Sequence, residues 1–153
     1  MDIEKAEALH ILGKLMTHEM PDAAVNALER GFDGSAIREL AGLNNPPLSE
    51  AGPLFCKALQ EMGRRQLSMQ DAGIYIAKQI AEDIIAERVN PYNGARQIWD
   101  QASEACKDVP AIGEFENLAD DYEVHEFDGQ RPQIAMEIVS AARKLLMAHP
   151  PVQ

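Results

Sequence analysis

The chain has 153 residues, of which 46% are hydrophobic and 25% charged; this is enough apolar material for one folded domain and excludes an intrinsically disordered chain. Its formal net charge of −11 repels phosphate groups, so nucleic acids and anionic membranes are not expected partners. Aromatic residues make up only 5%, so we expect a core of Ala, Leu, Ile and Met, which favours helices over strands.

Apolar residues recur at every third or fourth position through most of the chain, which is the period of an amphipathic helix. In the N-terminal part this period predicts three helices, the first continuing to Met16 and the third capped by Asp33. Residues 44–47 are two asparagines followed by two prolines and cannot be helical, which predicts a loop near residues 44–48. We expect this loop to separate the N-terminal helices from the rest of one domain.

The remaining chain predicts five more helical segments. Ser49 begins the fourth helix, and a capping box at Ser68 opens the fifth and longest, over residues 71–89. Pro91 begins the sixth helix, a short seventh lies within an acidic segment, and Asp128 caps the last. The sequence therefore predicts an all-α protein, a compact single-domain bundle of seven or eight helices. Because the fifth helix is apolar over more than half its circumference, we expect it at the centre.

The two cysteines, Cys56 and Cys106, have no closely spaced partner. We expect them to be free, buried thiols in a reducing compartment. The N-terminus has acids where a signal peptide needs bases, and no apolar run approaches the ~18 residues that a membrane span needs. These features predict a cytoplasmic protein with no membrane partner.

Two stretches, taken in order, resemble segments of a group of uncharacterised bacterial helical proteins. They are residues 27–43, ALERGFDGSAIRELAGL, and residues 91–99, PYNGARQIW. The group has a similar length and an acidic segment before its last helix, so the resemblance covers most of the chain. It implies a bacterial cytoplasmic domain, but it carries no activity and transfers no site residues.

The strongest functional signal is charge, since residues 100–128 contain ten acidic residues and one basic residue. These carboxylates repel one another, and a partner with a basic patch would relieve the repulsion. The hypothesis is a non-catalytic binding or regulatory protein, for example an immunity-type protein that neutralises a cationic toxin or nuclease. The alternative is a solvated surface with no partner.

The candidate partner-binding residues come from this acidic segment and from residues 91–99, because Tyr, Arg and Trp dominate interface hot spots. They are Glu114, Glu116, Asp120, Asp121, Glu123, Glu126, Tyr92, Arg96 and Trp99. The alternative for residues 91–99 is a structural role, in which small Gly94 and Ala95 allow close packing and Trp99 fills the core.

Two other classes of function stay open. A small helical metal-dependent enzyme could use His18, Glu19 and His125, provided that folding brings them within ligand distance of one cavity. An oligomeric structural module would bury surplus apolar surface by self-association. The chain has no His-Glu-x-x-His pair, P-loop, dinucleotide fingerprint or nucleophile elbow, so we predict no cofactor and no catalytic residue.

Overall fold

The structure is a computed structural model that describes residues 1–64 and 67–148. All regular secondary structure in these ranges is helical, which confirms the predicted all-α class. The eight helices are α1 (Ile3–Ile11), α2 (Glu19–Glu29), α3 (Ser35–Ala41), α4 (Leu48–Glu61), α5 (Met69–Ile85), α6 (Pro91–Ala102), α7 (Pro110–Val124) and α8 (Arg131–Ala148). None of these helices is both long enough and apolar enough to cross a bilayer.

Helix contacts divide the chain into two compact units, Met1–Ser68 and Met69–Gln153. The first unit contains α1 to α4 and the second contains α5 to α8. The loop that connects α3 and α4, at residues 42–47, lies inside the first unit. The division between the units therefore falls between α4 and α5 and not at that loop.

The core of the first unit is built around α2, which packs against α1, α3 and α4. Its buried residues are mostly small: Ile3, Ala6, Met20, Ala23, Ala24, Ala27, Ala36, Ile37, Leu40, Ala51, Phe55 and Ala58. Alanine occupies little volume, so helices that meet through it can approach closely. Alanine, isoleucine, leucine and methionine all contribute to the core, as expected, but only Met20 of the seven methionines is buried.

The first helix is shorter than its sequence pattern predicts. Gly13 has φ of +71°, a left-handed conformation that glycine adopts without strain. The N–H of Lys14 then donates to the carbonyl of Leu9 at 2.8 Å, which closes the helix end. This turn stops α1 at Ile11, so the prediction that the helix continues to Met16 is wrong.

In the second unit, α6 and α8 each pack against the other three helices. Helix α5 packs against α6 and α8 through one face, formed by Ala72, Gly73, Ile76, Ala77, Ile80, Ala81 and Ile84. This helix ends at Ile85 and not at residue 89, because Glu87 adopts a left-handed φ of +59°. The longest helix is instead α8, with 18 residues.

The cysteines differ in their surroundings, although both are free thiols. Cys106 is buried, as expected, and its Sγ lies 3.6 Å from the carbonyl oxygen of Gln70. Cys56 is exposed, so the expectation of two buried thiols is wrong for this residue. It lies on α4 beside the buried stripe of Ala51 and Phe55 but outside it.

Candidate functional site

Helices α6 and α7 meet through arginine, tyrosine and carboxylate side chains in the second unit. Asn90 begins α6, since its Oδ1 accepts the N–H groups of Tyr92 at 2.9 Å and Asn93 at 3.3 Å. This cap starts the helix so that Tyr92 and Arg96, four residues apart, share one face. Asp120 and Glu123, three residues apart near the end of α7, likewise share one side of their helix and meet Arg96.

Glu123 is the common acceptor at this contact. The Tyr92 hydroxyl donates to Glu123 Oε1, and Arg96 Nε donates to the same oxygen at 3.2 Å. Arg96 Nη2 also lies 3.3 Å from Asp120 Oδ1. The hydrogen bonds from Tyr92 and then from Arg96 lower the pKa of Glu123. The hydrogen bond to Glu123 in turn raises the pKa of Arg96.

Two tyrosine rings extend the contact towards α8. The rings of Tyr92 and Tyr122 stack with centroids 4.8 Å apart and planes inclined by 15°. The Arg131 guanidinium lies 4.5 Å from the Tyr122 ring centroid, within cation–π range. Arg131 Nε also donates to the backbone oxygen of Tyr122 at 2.9 Å. This interaction joins the end of α7 to the first residue of α8.

We call this group of side chains the arginine–tyrosine cluster; it consists of Tyr92, Arg96, Asp120, Tyr122, Glu123 and Arg131. It brings together four of the nine candidate residues. Tyr122 and Arg131 were not among the candidates. The available signal was that Tyr122 directly precedes Glu123, and that Arg131 is the first basic residue after the acidic segment.

The acidic residues of α7 do not form one face. Asp120 and Glu123 lie on the side that meets Arg96. Asp121 lies about 100° further round the helix, and Glu114, two turns earlier, shares its side. Neither Asp121 nor Glu114 makes an ion pair with any residue that the structure describes. Asp120 and Glu123 therefore share one guanidinium inside the protein, whereas Asp121 and Glu114 remain available to a partner.

The other candidates lie along the same two helices and the turn after them. Glu116 is half-buried in the first half of α7, and Glu126 is exposed just beyond its end. Trp99 lies on α6, three residues after Arg96, and is half-buried. Gly94, Ala95 and Ile98 of the same helix are buried.

The turn between α7 and α8 exposes apolar side chains among acidic ones. Phe127 is 93% exposed and Val124 is 78% exposed. The turn has its own hydrogen bonds, since His125 Nδ1 contacts Asp128 Oδ2 and Asp128 Oδ1 accepts the N–H of Gln130 at 3.2 Å. The contact with His125 lowers the pKa of Asp128. Asp128 thus orders the turn, and α8 begins only at Arg131.

The residues of the metal hypothesis lie in different units. His18 and Glu19 are at the start of α2, where Glu19 Oε2 accepts the N–H of Met16 at 2.8 Å. His125 ends α7 and contacts Asp128. Within residues 1–64 and 67–148, no three His, Cys, Asp or Glu side chains converge as a metal ion would require.

The fold and this surface define an all-α protein with an acidic, partly apolar turn between its last two helices. Comparison of the chain with models of known families, with curated proteins and with solved structures finds no match. This result is consistent with the resemblance to an uncharacterised group of bacterial helical proteins.

Proposed function

We propose that the protein is a non-catalytic binding protein that docks a basic protein surface on the turn between α7 and α8. In this proposal Val124 and Phe127 are the apolar anchor, and Asp121 and Glu126 are the acidic groups beside it. The observation that carries the proposal is the 93% exposure of Phe127 within the most acidic part of the chain.

An exposed phenylalanine is a favourable anchor because its burial is worth about 1.5–3 kcal/mol. A partner pocket that covers the ring would gain this energy, while lysines or arginines around the pocket would meet the acidic residues. Such charges raise the rate of association and select the partner. Asp121 is three residues before Val124 on α7, so their side chains are neighbours on the helix surface.

The arginine–tyrosine cluster has a supporting role in this proposal. Asp120 and Glu123 are already bound to Arg96, so breaking those contacts would offset the gain from a new basic partner. Arg131 instead ties the start of α8 to Tyr122, and His125 ties the turn to Asp128. A turn held by these contacts loses little conformational entropy on binding. A cationic toxin or nuclease is one partner of the required chemistry, and two free thiols suit a cytoplasmic location.

The test uses two fluorescent helical peptides of equal positive charge, one with Lys and Leu on opposite faces and one with Lys and Ser. Fluorescence anisotropy measures their binding to the full chain. We expect the Lys/Leu peptide to bind more tightly, and its affinity to fall as salt rises. Phe127→Ser and the double variant Asp121→Lys/Glu126→Lys should each weaken binding about tenfold or more.

The matched control is Glu39→Lys/Glu137→Lys, which changes the net charge equally at two exposed residues outside the acidic segment. Its affinity should stay within about threefold of the unmodified protein, since only the long-range field changes. Unchanged affinity of the Phe127→Ser variant would contradict the proposed surface. So would a loss of affinity in the control as large as that in the Asp121→Lys/Glu126→Lys variant.

Self-association is the second candidate, because Met136 and Met147 are 68% and 83% exposed and lie three turns apart on one side of α8. Its salt dependence has the opposite sign. Two acidic copies repel one another, so self-association should strengthen as salt rises, whereas binding to a basic partner weakens. Sedimentation velocity at low and high salt distinguishes the two.

A further inference from the structure

The first unit places a thiol and an imidazole in contact at its surface. Cys56 Sγ on α4 lies 3.6 Å from His10 Nε2 on α1, which is hydrogen-bond distance for sulfur. Cys56 is exposed, so a reagent can reach its sulfur from solvent. This pair is formed only by folding, because the residues are 46 positions apart in the chain.

The imidazole is held in place by a core residue. The His10 ring packs edge to face on Phe55, with centroids 5.1 Å apart and an interplanar angle of 63°. Phe55 is fully buried, so its ring is a fixed surface for the imidazole. Phe55 also directly precedes Cys56 on α4. One buried side chain thus fixes His10 beside the exposed thiol.

We propose that Cys56 and His10 are a modification site at which the Cys56 thiol reacts with a low-molecular-weight disulfide to form a mixed disulfide. His10 Nε2 accepts the proton of the Cys56 thiol as the sulfur attacks one sulfur of the reagent. A bond forms between these two sulfurs, and the disulfide bond of the reagent breaks. The departing thiolate takes the proton from His10, so Cys56 is oxidised and half of the reagent is reduced to a thiol.

The second cysteine supplies an internal comparison. Cys106 is buried, and burial raises the pKa of its thiol, so it should react slowly while the protein is folded. The proposal uses only residues of the first unit, Cys56 and His10, and none of the residues of the proposed docking surface, which belong to the second unit.

The test measures the release of pyridinethione when the full chain reacts with 4,4′-dithiodipyridine, a neutral disulfide. Cys106→Ser leaves Cys56 as the only thiol. In this background the folded protein should react about tenfold or more faster than the same protein unfolded in urea, since base assistance requires the folded contact. A rate no faster than that of the unfolded chain would overturn the proposal.

His10→Gln in the Cys106→Ser background should reduce the rate of the folded protein about tenfold or more, because the glutamine amide cannot accept the proton. The matched control is His18→Gln, which removes the histidine directly before α2 and should leave the rate unchanged. Should His10→Gln fail to fold, the comparison of the folded with the urea-unfolded Cys106→Ser protein decides alone, because an exposed thiol without a base gains no rate over the unfolded chain. An unchanged rate in folded His10→Gln would refute the pair.

Discussion

Glu61, the last residue of α4, caps the N-terminus of α3: its Oε2 accepts the backbone N–H of Ala36 at 3.0 Å. Its Oε1 also accepts the Ser35 hydroxyl at 3.0 Å. A carboxylate at this end of a helix satisfies a free N–H and meets the positive end of the helix dipole. The predicted cap, Asp33, bonds instead to the N–H of Gly34 at 2.9 Å. The cap of α3 is therefore a tertiary contact between two helices.

We predict that Glu61→Ala lowers the free energy of unfolding by about 1 kcal/mol, the usual loss when an N-cap is removed. Glu61→Gln keeps an acceptor oxygen and should lose less. A Cβ on Gly34 would collide with Glu61 Oε2, so Gly34→Ala should displace the same cap. Urea unfolding of the two alanine variants and their combination tests this, because one shared contact makes their effects non-additive. Additive losses of free energy of unfolding in the double variant would contradict the assignment of Glu61 as the cap of α3.

Gly94 should not tolerate a side chain. A Cβ there would lie 2.7 Å from Ile84 Cδ1 and 3.2 Å from Val89 Cγ1. We expect Gly94→Ala to destabilise the protein by about 1–3 kcal/mol, because overpacking outweighs the gain in helix propensity. Gly113→Ala is the control, since a Cβ on this α7 residue meets nothing within 4 Å. Gly113→Ala should stabilise the protein by up to about 1 kcal/mol. Chemical denaturation of both variants measures these changes. A neutral Gly94→Ala would show that α5 and α6 can move apart.

The end of α5 is strained at Glu87, whose φ of +59° is costly for a residue with a side chain. Glu87→Gly should raise the free energy of unfolding by about 0.5–1 kcal/mol, after the greater entropy of glycine in the unfolded chain is subtracted. Glu82→Gly, an exposed change inside α5, should instead lower it by about 1 kcal/mol. Opposite shifts of the melting temperature for the two variants check this prediction.

The arginine–tyrosine cluster should make stability depend on pH in acid. The pKa of Glu123 in the folded protein is below its ordinary value of 4.5, so the folded state binds fewer protons than the unfolded state. The stabilisation is present above about pH 4.5 and is lost as pH falls through the lower pKa of the folded state. Glu123→Gln should therefore show a shallower fall of the melting temperature between about pH 5 and 3. Glu126→Gln, outside the cluster, should keep the slope of the unmodified protein.

The helical class could be predicted because the period of the apolar residues is a local property of the chain. Where helices end was harder, since Leu15 and Met16 continue the apolar period of α1 beyond Gly13, at which the helix has already ended. The composition predicted the residue types of the core but not their shares, because alanine and isoleucine dominate it while Met136 and Met147 remain exposed. Side-chain volume, which decides how closely helices approach, is not contained in an apolar period.

The candidate surface was predicted in part. Charge density located the acidic segment, and Tyr92 and Arg96 were chosen for their residue type. The sequence did not predict that Arg96 would bind Glu123 and Asp120, because that contact depends on the packing of α6 against α7. Once it forms, four candidate acidic residues lie outside the cluster: Glu114, Glu116, Asp121 and Glu126. Of these, Asp121 and Glu126 are nearest along the chain to the exposed Phe127.

The sequence by itself determined that the chain is helical and that its negative charge is concentrated in residues 100–128, since periodicity and charge are read along the chain. Only the tertiary structure decided which carboxylates find a cation, that Glu61 caps α3, and that His10 reaches Cys56. Each of these contacts joins residues on different helices, and their distances depend on how the helices pack.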